Sequence, residues 1–376
     1  MASGFSLADQ LFNAEKVGYL AGLFAASDAR FDQAGFEAAV MARLGEFALK
    51  QRINWIADCL GPVLPGAFTE AAARIVAALP PPLDPTRTDD DFGDFIFAPL
   101  GEYVVRNGME TPGLALDVLE QITQRFSMEY AIRAYLNQWP EQTMARMEVW
   151  AGHENYHVRR LVSEGTRPRL PWGMKIGLGA TGALPLLDRL YADKTRFVTR
   201  SVANHLNDIS KLNPEAVLER LARWQGEGQQ DAKEMQWLTS HALRGLVKAG
   251  HVGALEMLGY RADAPVRVAG FTLEQTRVPV GEQLKFAVEL VADQESPVLV
   301  DYVIHYYRGR NRGGGEMVPR VKKLKTGVVQ PGRVLKMTKA YRVPRQATTV
   351  KVVPGPHRIG IQVNGRVLAE RDFEVV

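Results

Sequence analysis

A chain of 376 residues, 46% apolar and 23% charged, is long enough for two domains and has the composition of a globular protein, not a fibrous or disordered one. Its formal net charge is only +4, and its single cysteine, Cys59, excludes a disulfide framework and a thiolate metal cage. No apolar run is long enough to cross a bilayer, and Met1–Leu20 lacks the basic-then-apolar pattern of a secretory leader, so a cytosolic location is expected.

In chain order, residues 1–264 are predicted to form one helical domain. Apolar residues recur at three- and four-residue spacing in Phe36–Ile56, Leu114–Leu136, Thr143–Val162, Leu184–Leu212 and Trp237–Leu258. Prolines at Pro62–Pro65, Pro80–Pro85, Pro140, Pro168–Pro171 and Pro214 punctuate the helices, and Pro80–Phe97 reads as a loop. Trp150–Arg160 and Leu190–Arg200 match at a spacing of forty: an apolar residue, a short polar turn, a valine, then an arginine two places on. Phe126–Leu136 reads as a weaker, earlier copy. Helix pairs at such a period are the signature of HEAT-like solenoids, whose second helices line a concave face.

From residue 265 to 376 the pattern becomes alternating. Val266–Leu273, Leu284–Leu290, Val298–Tyr307, Arg333–Arg342, Arg358–Val363 and Val367–Val376 are predicted strands, and Asn364-Gly365 is a two-residue hairpin turn. The expected fold class is therefore multidomain: an all-α HEAT-like repeat followed by an all-β immunoglobulin-like sandwich. Charge follows the same division. Val266–Val376 carries 19 Lys plus Arg against 10 Asp plus Glu, whereas residues 1–265 carry 27 against 32. A basic second domain points to an anionic partner or simply to a solubilising surface.

The densest motif region is Trp150–Trp172. His153-Glu154-Asn155-Tyr156-His157 is a literal HExxH, which on a helix would offer two histidines to zinc and a glutamate as base. Against that reading, no third ligand stands at the expected distance, and Gly152 with the repeat alignment puts His153 in a turn. Neither a metal nor another cofactor is expected. Arg159, Arg160, Arg167, Arg169 and Lys175 cluster here, the last three in a loop, Thr166–Ala180, that interrupts the repeat; they suit phosphate contact. Arg200, Asn204 and Asp208 share one helix face, either solvated or turned to a ligand. Glu129, Glu164 and Asp208 are acids among bases, each with an arginine close in sequence as its partner or with a chemical role. In the second domain Arg308, Arg310, Arg312, Lys322, Lys323 and Lys325 form a basic, glycine-rich hairpin suited to nucleic acid or to solvent.

HVRRLVSEGTRPRLPW at 157–172, RSVANHLNDISK at 200–211, FSMEYAIR at 126–133, HALRGLVKAG at 241–250 and DYVIHYYRGRNRGGGEMVPRVKKLKT at 301–326 together resemble the AlkC branch of bacterial HEAT-like-repeat DNA glycosylases. The resemblance is strongest from 120 to 330 and weak before residue 100. Gly313–Gly315 is a departure. The resemblance implies excision of cationic N3-methylated bases from duplex DNA, chiefly 3-methyladenine with 3-methylcytosine second. It implies Glu129, Glu164 and Asp208 as catalytic acids and Trp172 beside the lesion. Double-stranded DNA is the expected partner, bound at the nucleoid, with no membrane and no obligate protein partner. A non-catalytic repeat scaffold binding DNA or protein, and a zinc hydrolase, are the competing readings.

Overall fold

The computed structural model describes residues 6–64, 66–89, 92–308, 316–345 and 352–376. The chain divides into two compact units, residues 1–217 with 223–242, and residues 218–222 with 243–376.

The helical run begins with α1 (Leu7–Leu11), α2 (Ala14–Ser27), α3 (Gln33–Arg43), α4 (Leu49–Val63) and α5 (Phe68–Ala78). After a largely irregular stretch come α6 (Ala98–Asn107), α7 (Pro112–Thr123), α8 (Ile132–Gln138), α9 (Pro140–Trp150) and α10 (Tyr156–Gly165). The series closes with α11 (Leu184–Leu190), α12 (Arg196–Ile209), α13 (Pro214–Glu227), α14 (Ala232–Lys248) and α15 (Val252–Met257). Local chemistry sets the boundaries. Asn13, Asp32, Asn155 and Asn213 accept backbone N–H groups at the starts of α2, α3, α10 and α13, and prolines open α9 and α13, where a missing N–H does no harm. The forty-residue repeat is real: α9–α10 and α11–α12 are successive helix pairs, and the short polar turn of the motif joins the helices of each pair.

The second helix of each pair is buried almost all round. On α10, Tyr156, Val158, Leu161 and Val162 are buried, and so are the polar Arg160, Ser163 and Glu164. On α12, Val198, Val202 and Leu206 are buried beside Ser201, His205, Asn207 and Asp208. Buried polar groups are tolerable only when bonded. Between these helices, Ser201 Oγ lies 2.9 Å from Ser163 Oγ, and His205 Nδ1 donates to the Ser163 carbonyl at 2.9 Å. Burial pushes the His205 imidazole down to about 3, so it stays neutral. Among the described residues, no helix is long and apolar enough to cross a membrane.

The second unit is a sandwich of two sheets. β1 (Val266–Leu273), β3 (Gln283–Ala292) and β6 (Leu335–Arg342) form one, in the order β1-β3-β6. The other has the order β2-β8-β7-β4-β5, from β2 (Arg277–Val278), β8 (Arg366–Val375), β7 (Gly355–Val363), β4 (Ser296–Arg308) and β5 (Glu316–Val329). All pairings are antiparallel except β2 with β8. Alternation drives this: Leu284, Phe286, Val288 and Leu290 of β3 face a core with Val300, Tyr302, Ile304, Ile359 and Ile361. All six predicted strands are present: Arg358–Val363 begins three residues earlier in the structure, Arg333–Arg342 two residues later, and the other four agree within two residues at each end. Two strands went unpredicted: β2 is too short to show a period, and β5 has polar residues that disguised a fourteen-residue strand as a hairpin arm.

The turn between β7 and β8 is Asn364-Gly365, both with positive φ (46° and 80°). Asn364 also accepts from Leu299 N at 2.8 Å and donates to Arg261 O at 2.8 Å. Gly365 has a second constraint, since a Cβ there would lie 2.5 Å from Gly250 Cα. The C-terminal part of α14 and all of α15 pack within this unit, and Lys248 O accepts from Gln362 Nε2 at 3.2 Å.

Candidate functional site

Three elements bring acids and bases into one row within the helical unit. Glu129 stands in the turn before α8. Arg160 and Glu164, four apart, share a face of α10, and Arg167 follows that helix directly. Asp208 is in the last turn of α12. Arg160 Nη1 donates to Glu129 Oε2 at 2.9 Å, and its Nη2 lies 3.6 Å from Glu164 Oε2. Arg167 Nη1 donates to Glu164 Oε1 at 2.6 Å, while its Nε and Nη2 reach Asp208 Oδ2 at 2.9 and 2.8 Å. Lys211 Nζ lies 3.3 Å from Asp208 Oδ1. The row thus alternates in sign: Glu129, Arg160, Glu164, Arg167, Asp208, Lys211.

Hydroxyls complete the carboxylates. Ser127 Oγ donates to Glu129 Oε2 at 2.5 Å, and Ser201 Oγ donates to Glu164 Oε2 at 2.6 Å. Glu129, Glu164 and Asp208 are all buried. Burial works to raise the Glu164 carboxyl, but Arg160, Arg167 and the Ser201 hydroxyl outweigh it and hold the group below the ordinary carboxylate range. Aromatic rings pack on the other side of the row. The Arg160 guanidinium sits 4.6 Å from the Phe197 ring centroid and 4.9 Å from that of Phe92. A cavity of about 330 Å3 opens here, lined by Glu129, Arg160, Glu164, Arg167, Ser201 and Asn204 together with Phe92, Tyr130 and Phe197. Asp208 joins it through Arg167. Burial, with Glu129 and Glu164 nearby, pushes the Tyr130 phenol up to about 12.

The sequence pairing of acids and arginines needs correction at two places. Glu129 is bonded neither to Arg125 nor to Arg133: Arg125 donates to the Pro80 and Gln121 carbonyls, and Arg133 to carbonyls of the following loop. Its partner is Arg160 from the next helix pair. Asp208 pairs with Arg167, not with Arg200, which forms an ion pair with Asp89. Helix packing decides both, and sequence proximity does not reveal it. For Glu164 the near neighbours Arg160 and Arg167 are the partners.

The other expected residues divide by exposure. Arg159 is turned into the fold, donating to Asp193 at 2.5 and 3.1 Å and to the His153 and Glu154 carbonyls. Arg169 and Lys175 are exposed in the loop after α10. Arg200 and Asn204 are half-buried, and Asn204 Oδ1 lies 2.9 Å from His241 Nε2. Trp172 is 69% exposed at a positive φ of 63°, a conformation large residues seldom adopt. It lines a different, apolar cavity. The loop that carries it is fastened from beneath: Arg133, almost fully buried, donates to Gly165 O and Arg167 O at 2.9 Å and to Met174 O at 2.6 Å. On β5, Lys323 and Lys325 are exposed, and Lys322 lies 5.1 Å from the Tyr341 ring centroid. Arg310 and Arg312 lie outside the described residues, and Arg308 is described by its backbone alone.

His153 is in the turn between α9 and α10, as its glycine neighbour suggested, with Nδ1 accepting from Asn155 N and Nε2 3.4 Å from Glu120. His157 is buried against the Tyr156 and Phe197 rings. The two are not presented together on one helix face, which removes the geometric basis of the zinc reading. Sequence reasoning passed over Ser127, Ser201, Phe92, Phe197 and Lys211. Only Lys211 carried a signal, three residues after Asp208.

Known proteins share this architecture. Residues 267–376 match a family model described as the C-terminal Ig-like domain of the uncharacterised protein YhaZ. The uncharacterized protein YhaZ of Bacillus subtilis is 30% identical over 333 residues, 88% of each chain. The solved structure of the Pseudomonas fluorescens alkylpurine DNA glycosylase AlkC, bound to DNA containing an abasic site analog, is 30% identical, with a TM-score of 0.87 and 99% of both chains covered.

Proposed function

We propose a function on one premise: the chain belongs to the AlkC-type family of proteins with a C-terminal immunoglobulin-like domain. It is a DNA glycosylase that hydrolyses the N-glycosidic bond of cationic N3-alkylated bases in duplex DNA, chiefly 3-methyladenine and secondarily 3-methylcytosine, without cutting the strand. The observation that carries this reading is the row of three buried carboxylates, two of them lining an open cavity and the third held to them by Arg167.

The chemistry suits such a row. Methylation at N3 leaves the base positively charged, so no acid is needed to protonate it. When the bond from C1′ to the base nitrogen breaks, its electron pair stays on the base and cancels that charge. C1′ becomes oxocarbenium-like, and water adds to it, losing a proton to a carboxylate. Carboxylates stabilise the positive sugar as it forms, and they do so best where water does not screen them. The arginines have a separate task. They keep Glu164 ionised despite burial and fix the direction of its lone pairs, since each carboxylate accepts from a defined donor. A net-neutral row is also compatible with DNA, whose phosphates would repel uncompensated acids. Trp172 would face the lesion, and Arg169, Lys175, Lys323 and Lys325 would hold phosphates.

The test is to incubate the full chain with methylated duplex DNA, with no metal added, and to identify what is released. Free 3-methyladenine from an intact strand is expected. Binding of the duplex without release of any base would make the protein a non-catalytic repeat scaffold.

A further inference from the structure

The apolar cavity beside Trp172 has no part in the reaction as described. It measures about 430 Å3, within the range of small-molecule sites, and its walls include Ile53, Phe95, Phe126, Met128 and Tyr130, with Trp172 among them. Two residues join it to the carboxylate row. Tyr130 lines both cavities. Ser127 lines the apolar cavity while its hydroxyl donates to Glu129 Oε2 at 2.5 Å. Ser127 and Tyr130 therefore link the carboxylate row to a large apolar space, and a methyl group is far too small to account for it.

We propose that this cavity is a subsite for hydrocarbon N3 substituents larger than methyl, so that the protein also excises bulky N3-aralkyl bases such as 3-benzyladenine. The inference rests on the glycosylase reading above. The positive charge of the base comes from substitution at N3 and not from the size of the substituent, so the leaving group is equally good. The reaction is the same: the bond from C1′ to N9 breaks, the electron pair leaves with a now neutral 3-benzyladenine, and water adds to C1′ with loss of a proton. What changes is where the substituent lies. A phenyl ring in water is costly, and the aromatic and aliphatic lining bounded by Tyr130 and Trp172 removes it from water.

The experiment compares single-turnover release of 3-methyladenine and 3-benzyladenine from alkylated duplexes by the wild type and by two cavity-filling variants, Leu49→Trp and Ala98→Phe. Both positions line the cavity and neither belongs to the carboxylate row. The wild type should release both bases. Each variant should slow 3-benzyladenine release by about tenfold or more, the order expected for steric exclusion from an apolar pocket, while leaving 3-methyladenine release within about twofold. Intact 3-methyladenine release also certifies that a variant is folded, so either one suffices. Release of 3-methyladenine alone by the wild type, or an unaltered benzyl-to-methyl ratio in the variants, overturns the subsite but not the glycosylase. Release of neither base by the wild type overturns both.

Discussion

Glu164 and Asp301 are both buried carboxylates, and their surroundings drive them in opposite directions. Glu164 has two arginines and a serine hydroxyl within bonding reach, and these hold it below its ordinary value against the pull of burial. It therefore contributes stability at neutral pH that is lost as pH falls through its titration. Asp301, on β4, is buried with Oδ2 lacking a hydrogen-bond partner, and burial pushes it up from 3.8 to about 6, only partly offset by Lys248 and Lys323. Here the folded protein binds a proton more tightly than the unfolded chain. The contribution of Asp301 to the stability of the sandwich should thus be fully present below about pH 4, and on the order of 3 kcal/mol should be lost as pH rises through about 6 before it levels off. Urea unfolding across that range should show the slope in the wild type and none from this group in Asp301→Asn. An identical slope in the variant would clear Asp301 of the effect. Neither environment is visible in the sequence. Asp301 sits in an alternating run that gives no hint of a β-bulge between Val300 and Asp301, and that bulge is what brings it opposite Lys323.

At the scale of elements, period is what made the fold legible. The helix pairs α9–α10 and α11–α12 announce themselves through a repeat of forty, and β1, β3, β4, β6, β7 and β8 through alternation of two. Within the site, Arg160, Glu164 and Arg167 were readable as partners because three- and four-residue spacing fixes neighbours on a helix. Glu129–Arg160 and Arg167–Asp208 were not, since which face of one pair meets the next depends on packing. The loop after α10 illustrates the same point. Its length marked it as functional, but its buried anchor, Arg133, is an arginine of α8, and only the fold shows three carbonyls waiting for it. Arg133→Met should leave the core filled yet free the loop. We expect faster amide exchange for residues 166–176, altered Trp172 fluorescence, and slower base release. Because the loss acts through the loop, it should be markedly less than additive with that of Trp172→Ala. Strict additivity would separate Arg133 from Trp172.

For the whole molecule, the proposed function would divide between the two units: bond cleavage on the helices and part of the phosphate binding on the basic strand β5. Neutralising Lys322, Lys323 and Lys325 together should weaken binding to damaged and undamaged duplexes alike. It should also reduce the log–log salt slope by about 0.9 for each phosphate that is no longer neutralised. The chemical step at saturating enzyme should hardly change. An unaltered slope would mean that β5 does not meet DNA. The central claim, that the carboxylate row performs the chemistry, is tested most directly by Asp208→Asn, which keeps the shape of a buried side chain and removes its charge. Single-turnover release of 3-methyladenine by this variant should fall by on the order of a hundredfold or more, while its affinity for duplex DNA changes by no more than a few-fold. An unchanged rate, or a loss explained wholly by weaker binding, would contradict it.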